Sequence, residues 1–230
     1  MCTSIVTNFS QPIIGFNLDI LDMKHRVDVE RDRVSISILD AKEGWMPLFG
    51  ANADGNFVAM PTCWPYDHRS DPLSADSRNI IMTDIDLLLG KKTFQETVNI
   101  ADSEEIFSIP GITFQAQLSD GGGNVLQIVP GQGHRYIQKP KFQVMTNFSP
   151  YKMDAEKHPW MGMDRYNTAM TMLEGYDDDF EAEDCFRILA AVSQMVCPTV
   201  VSMVFVPDSN EVYWCENRQF DQVHKHMIAR

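Results

Sequence analysis

The chain has 230 residues, of which 44% are hydrophobic and 22% charged, the balance of a globular protein with room for one domain of ordinary core size or two small ones. A formal net charge of −13 argues against a nucleic-acid partner and against docking on anionic lipid, because both want a basic face. No apolar run approaches the roughly 20 residues of a membrane-spanning helix. The first basic residue is Lys24, so no secretory leader is expected.

In chain order, Thr3 to Val6 is a short β-prone run. Gln11-Pro12 marks a turn, and Ile13-Ile14-Gly15-Phe16-Asn17 returns as the second strand of a hairpin. That hairpin puts Cys2 and Asp19 near one end of a sheet. Val34 to Ile38 alternates strictly and reads as a half-buried strand. Another strand is expected over Asn56 to Met60, after the turn Asn52-Ala53-Asp54-Gly55. The polar stretch from Pro65 to Ser77 reads as a loop near the site.

Ile81, Ile85, Leu88 and Leu89 then recur with helical spacing up to Gly90. Thr93-Phe94-Gln95-Glu96 is a capping box that opens a second helix. Strands over Ile112 to Leu118 and Asn124 to Val129 are joined by Asp120-Gly121-Gly122-Gly123. This glycine run lacks a following Lys-Ser/Thr and opens no helix, so it reads as a hairpin turn and not as a phosphate cradle. Strands at Arg135 to Gln138 and Phe142 to Met145 precede helical patterns at Arg165 to Leu173 and Phe180 to Met195. Strands at Thr199 to Val206 and Glu211 to Cys215 close the chain around a turn at Asp208-Ser209-Asn210. Hairpin-linked strands with segregated helices indicate an α+β class of helix and sheet layers.

The most informative position is Cys2. An initiator Met is removed when the next side chain is small, so the mature chain is expected to open on a thiol and a free α-amine in one residue. Such an amine has a reference pKa of about 8, and it can serve as base for its own nucleophile. The five cysteines form no C-x-x-C pair, which fits reduced thiols in a cytoplasm. The histidines show no zinc spacing, and His224 and His226 fall in a polar tail.

Four segments line up: Cys2-Thr3-Ser4-Ile5-Val6, Gly15-Phe16-Asn17-Leu18-Asp19, Val144-Met145-Thr146-Asn147-Phe148, and Asp164-Arg165-Tyr166 entering a helix. In this order they resemble the N-terminal-nucleophile linear-amide hydrolases. That superfamily includes choloylglycine (bile salt) hydrolases, penicillin V acylases, acid ceramidase, N-acylethanolamine amidase and related penicillin acyltransferases. The opening residues look most like the ceramidase branch, as does Lys157-His158-Pro159-Trp160 ahead of Asp164-Arg165.

The resemblance implies a four-layer αββα sandwich, with residues 1–230 as a single domain of that type. It implies that Cys2 attacks an amide carbonyl and holds the acyl group as a thioester, with its α-amine as general base. Asp19 would hold that amine, Asn147 would offer its side-chain N–H to the oxyanion, and Arg165 would orient the nucleophile or steady carboxylate charge. The partner implied is a small-molecule N-acyl amide, with no cofactor and no metal, in the cytoplasm. A homo-oligomer is left open.

Two departures bear on chemistry. Most of the hydrolases carry arginine where this chain has Phe16, which removes a positive charge expected beside the thiol. Many bile salt hydrolases place an asparagine about where Thr62 aligns. Thr62, Trp64 and Tyr66 are the candidate substrate-binding residues. The alternatives are an acyltransferase of the same fold and a ligand-binding relative with impaired catalysis.

Overall fold

Alternation along the first hairpin sorts its side chains between two layers. The structure is a computed structural model that describes residues 1–64, 78–109, 111–151 and 161–229. Cys2–Asn8 (β1) pairs antiparallel with Pro12–Asp19 (β2), from Cys2 opposite Leu18 to Asn8 opposite Pro12. Cys2, Val6, Ile14, Phe16 and Leu18 join one core, whereas Ile5 and Ile13 join another on the opposite face.

The next elements are His25–Val29 (β3), Arg33–Asp40 (β4), Gly44–Asn52 (β5), Phe57–Ala59 (β6) and Arg78–Asn79 (β7). Helices Ile80–Leu88 (α1) and Phe94–Ser103 (α2) lead to Ile106–Phe107 (β8), Ala116–Ser119 (β9), Val125–Val129 (β10), Gly133–Ile137 (β11) and Phe142–Met145 (β12). Helices Met163–Glu174 (α3) and Ala182–Ala191 (α4) precede Thr199–Val206 (β13), Glu211–Glu216 (β14) and His224–Met227 (β15).

One sheet runs in the order β12-β1-β2-β13-β14-β15 and the other β11-β10-β9-β6-β5-β4-β3. They meet face to face. Phe16 stacks on Phe49 at 5.0 Å between ring centroids, and Phe57 stacks on Phe205 at 6.3 Å. Helices α3 and α4 cover the outer face of the first sheet, and α1 and α2 cover the second. This α+β sandwich of four layers is the architecture expected.

Helix α1 starts at Asn79, whose side chain accepts the Ile81 N–H. Helix α2 starts with the Thr93–Glu96 capping box. Gly15 lets α4 close on β2, since a Cβ there would stand 2.5 Å from Cys185 Sγ. The glycine run is a hairpin turn between β9 and β10, and Asp120 Oδ1 accepts the N–H groups of Gly122 and Asn124.

The structure departs from the sequence expectations in several places. The strand expected over Ile112 to Leu118 begins only at Ala116. The Ser108 hydroxyl bonds the Ile112 carbonyl and the Phe114 N–H and folds that stretch back. Helix α4 stops at Ala191 and not Met195. Strands β3 and β5 were not expected, since Gly44, Pro47 and Gly50 break the alternation of β5. The polar tail is the edge strand β15, where His224 stacks on Trp214.

Candidate active site

Cys2 lies at the end of β1 with 4% of its surface exposed. One rung beyond, the Met1 carbonyl accepts the Asp19 N–H at 2.8 Å, and the Met1 amino group donates to the Asp19 carbonyl. On the other side of β1, Ser4 stands opposite Met145 of β12. The chain leaving β12 therefore brings Asn147 level with Cys2. There Asn147 Oδ1 accepts the Cys2 backbone N–H at 3.0 Å. Its Nδ2 donates to the Thr62 carbonyl at 2.7 Å and to Thr62 Oγ1 at 2.9 Å. Gln115 braces this turn by donating from Nε2 to the carbonyls of Thr146 and Phe148, and the Trp64 N–H donates to the Asn147 carbonyl.

Arg165 is the third residue of α3 and is 4% exposed. Its Nη1 donates to the Cys2 carbonyl at 2.6 Å and to Thr3 Oγ1 at 2.9 Å, and Nη2 donates to Asn147 Oδ1 at 2.6 Å. Nη1 also stands 3.6 Å from Asp19 Oδ2, an ion pair longer than a hydrogen bond. A cation in the first turn opposes the helix dipole, so these acceptors and not the helix hold it there. The turn into α3 passes through Gly162 at φ +93°. A Cβ there would meet Arg165 Nη2 at 2.7 Å and Thr146 Oγ1 at 3.0 Å.

Asp19 is fully buried. Its Oδ1 accepts the Thr199 hydroxyl at 2.6 Å, and its Oδ2 accepts Gln194 Nε2. Burial pushes its carboxyl up to about 6, opposed by the Thr199 hydroxyl, Arg165 and Gln194. Burial likewise pushes the Cys2 thiol above its ordinary value, and the amino terminus and Arg165 pull it back. Cys185 and Cys215 are raised by burial too, Cys215 to about 11, and both neighbour acidic side chains that raise them further.

The structure thus brings together Cys2, Asp19, Asn147, Arg165 and Thr62, with the Trp64 backbone beside them. Tyr66 lies outside the described residues, as does Lys157-His158-Pro159-Trp160. The partners differ from those the resemblance implies. The Cys2 nitrogen is held by Asn147 Oδ1, while the Asp19 carboxylate faces Thr199, Gln194 and Arg165. Phe16 shares the sheet face of Cys2, but its ring is wholly buried against Phe49 and Phe57. Sequence reasoning missed Thr3, Gly162, Gln194 and Thr199. The β2–β13 register, which sets Asp19 opposite Thr199, is a pairing that no local pattern announces.

Two roomy clefts of the described surface, about 550 and 540 Å³, lie along α4 near Tyr213 and at the turn between β4 and β5. Cys2 lines neither. Among the described residues no group of three or more His, Cys, Asp or Glu side chains is placed to hold a metal ion. Among them too, no helix is long and apolar enough to cross a membrane.

Two stacked antiparallel sheets between helix layers, with a cysteine opening the first strand, form the fold of the N-terminal-nucleophile amide hydrolases. The chain superposes on the C2A mutant of conjugated bile acid hydrolase from Clostridium perfringens with a TM-score of 0.72 and 12% identity, over 99% of this chain and 92% of that one. It is similar to penicillin V acylase from Agrobacterium tumefaciens (TM-score 0.64, 13% identity, 94% and 83% covered). It is also similar to the Caenorhabditis elegans ortholog of N-acylethanolamine-hydrolyzing acid amidase (0.59, 21%, 90% and 93%). No protein-family description and no curated sequence matches the chain.

Proposed function

We propose that this protein is an N-terminal cysteine amidohydrolase that cleaves a linear N-acyl amide through a thioester. One observation carries the reading. The backbone nitrogen of Cys2, which processing would turn into the α-amine, donates to Asn147 Oδ1, and Arg165 donates both to that same oxygen and to the Cys2 carbonyl. A structural cysteine at the start of a strand needs no such arrangement.

In the reaction the α-amine takes the thiol proton and sulfur attacks the amide carbonyl, forming the C–S bond. As the C–N bond breaks, the ammonium returns its proton to the leaving amine. Water then attacks the thioester and releases the carboxylic acid, and the proton goes back to sulfur. Arg165 fixes the Cys2 carbonyl, and Asn147 Oδ1 orients the amine. The substrate oxygen takes the Asn147 N–H now bonded to Thr62 Oγ1, a type of contact worth about 3 to 4 kcal/mol in the transition state. Thr62, Trp64 and Tyr66 stand as the residues proposed to meet the substrate.

The test combines intact mass and turnover. A mature N-terminus at Cys2, release of acid from a panel of N-acyl amides, and an acyl adduct on Cys2 are expected. Addition of an acceptor amine separates hydrolysis from acyl transfer. Equal turnover by Cys2→Ala overturns the reading. A second reading, a ligand-binding relative, is favoured by the saturation of Asn147 Nδ2 by Thr62. It predicts binding of the amide with no adduct.

A further inference from the structure

Asp19 is held from outside the four segments of the family resemblance. The loop that follows α4 turns back to β13, and both of its ends touch the Asp19 carboxylate. Gln194 comes from the loop and Thr199 from the first residue of β13. The two are also tied to each other. The Gln194 N–H donates to Thr199 Oγ1 at 2.9 Å, and the Thr199 N–H donates to the Gln194 carbonyl at 3.1 Å. Thr199 Oγ1 therefore accepts from one side and donates its single proton to Asp19, which fixes its rotor. With both carboxylate oxygens taken, Oδ2 is aimed at Arg165.

We propose that Thr199 and Gln194 are positioning residues. They lock the Asp19 carboxylate in the orientation that lets Arg165 grip the Cys2 carbonyl, Thr3 and Asn147 at once. The inference rests on the amidohydrolase reading for its consequence in catalysis, but its geometry stands apart from it. The charged and titratable groups facing Asp19 are Arg165 from α3, Cys2 from β1 and the amino terminus of Met1, whose nitrogen also lies 3.8 Å from the Cys197 sulfur. Both Thr199 and Gln194 donate to the ionised carboxylate, so each favours its charged form. Losing either donor raises the pH below which Asp19 is neutral and Arg165 is released.

The variants are Thr199→Val, which keeps the shape and removes the O–H, Thr199→Ser, which restores it, and Gln194→Leu in the half-exposed loop. The first readout is the carboxyl titration of Asp19 by carbon NMR in the full chain. The second is the pH dependence of Cys2 alkylation by iodoacetamide, and the third is hydrolysis of octanoyl-p-nitroanilide. Thr199→Val and Gln194→Leu should each move the Asp19 midpoint up by about one pH unit, the scale of one hydrogen bond to an ionised group. The acid limb of alkylation should move with it, and Thr199→Ser should return both to the parent values. A purely structural role would lower alkylation or stability equally at every pH. Unmoved midpoints in both variants, or failure of serine to restore them, overturn the proposal. Shifted midpoints in a protein that never hydrolyses the anilide uphold the positioning and count against the amidohydrolase reading alone.

Discussion

Replacing Arg165 by methionine leaves Asp19 buried without its cation. Two unit charges 3.6 Å apart interact by about 5 kcal/mol at an effective dielectric of about 20. Truncating one partner of a buried pair costs about 3 to 5 kcal/mol. The pH dependence discriminates better than the size. In the intact protein Asp19 titrates at about 6, above its ordinary 3.8. A raised folded value means that the native carboxyl holds a proton the unfolded chain has already lost. Stability from this group is fully present below about pH 4, falls by about 1.36 kcal/mol per unit, and levels off above about pH 6.

Without Arg165 the carboxyl titrates higher still, so the fall continues through neutrality. Between pH 6 and 7.5 Arg165→Met should lose about 2 kcal/mol more than the parent. Asp84, a buried carboxyl raised well above its ordinary value, contributes equally to both proteins and drops out of the difference. Urea unfolding followed by tryptophan fluorescence at several pH values gives the two curves. An offset that stays constant to within about 0.3 kcal/mol across that range would show that Arg165 and Asp19 are not coupled.

Three further outcomes are expected. Gly162→Ala should cost about 1 to 3 kcal/mol and slow Cys2 alkylation, because the residue sits at φ +93° and its Cβ would strike the Arg165 guanidinium. Unchanged urea midpoint and alkylation rate would remove that account. Phe16→Arg should destabilise by about 3 to 5 kcal/mol and leave the alkylation profile without the acid shift expected of a nearby cation, since the ring it replaces is stacked on Phe49 in the closed core. A stable variant with a lowered profile would reverse that conclusion. Cys2→Ala should cost about 1 kcal/mol of core packing while abolishing any acyl adduct seen by mass. An adduct that survives in that variant would place the nucleophile elsewhere.

The elements legible in the sequence were those whose causes are local. The hairpin of β1 and β2, the Thr93–Glu96 cap and the β9–β10 turn rest on alternation, a capping pair and an Asp-Gly run. Strand β12 was legible from its own residues, and Asn147 was singled out only through family order. What stayed hidden depends on pairings distant in sequence. Asp19 meets Thr199 across 180 positions, and a lone threonine after Cys197-Pro198 carries no mark of that. Gly15 illustrates the same limit from the other side. It was read as part of a chemical motif, yet its lack of a side chain answers to the approach of Cys185. Asn17, two residues on, is likewise occupied with the Leu189 carbonyl and the Ser202 hydroxyl. Half of that motif is therefore architecture. Arg165, by contrast, opposes the dipole at a helix start, and its buried acceptors are why it is tolerated there.

The pairing of β1 with its neighbours also works as an address. Successive residues of a strand face opposite sides, so Cys2 presents its thiol to the space between the sheets while Thr3 presents its hydroxyl to Arg165 in the helix layer. Moving β1 by one position against β2 and β12 would exchange the two groups. The thiol would fall among the groups that bind the guanidinium, and a threonine would stand where the sulfur had been. The same slip would carry the Cys2 nitrogen off Asn147 Oδ1. Val6 and Ile5 would trade cores in the same movement, so burial penalises any such slip far from the site itself. The hydrophobic pattern of this strand thereby counts residues on behalf of the chemistry, and a chain that folds at all delivers its sulfur to one address.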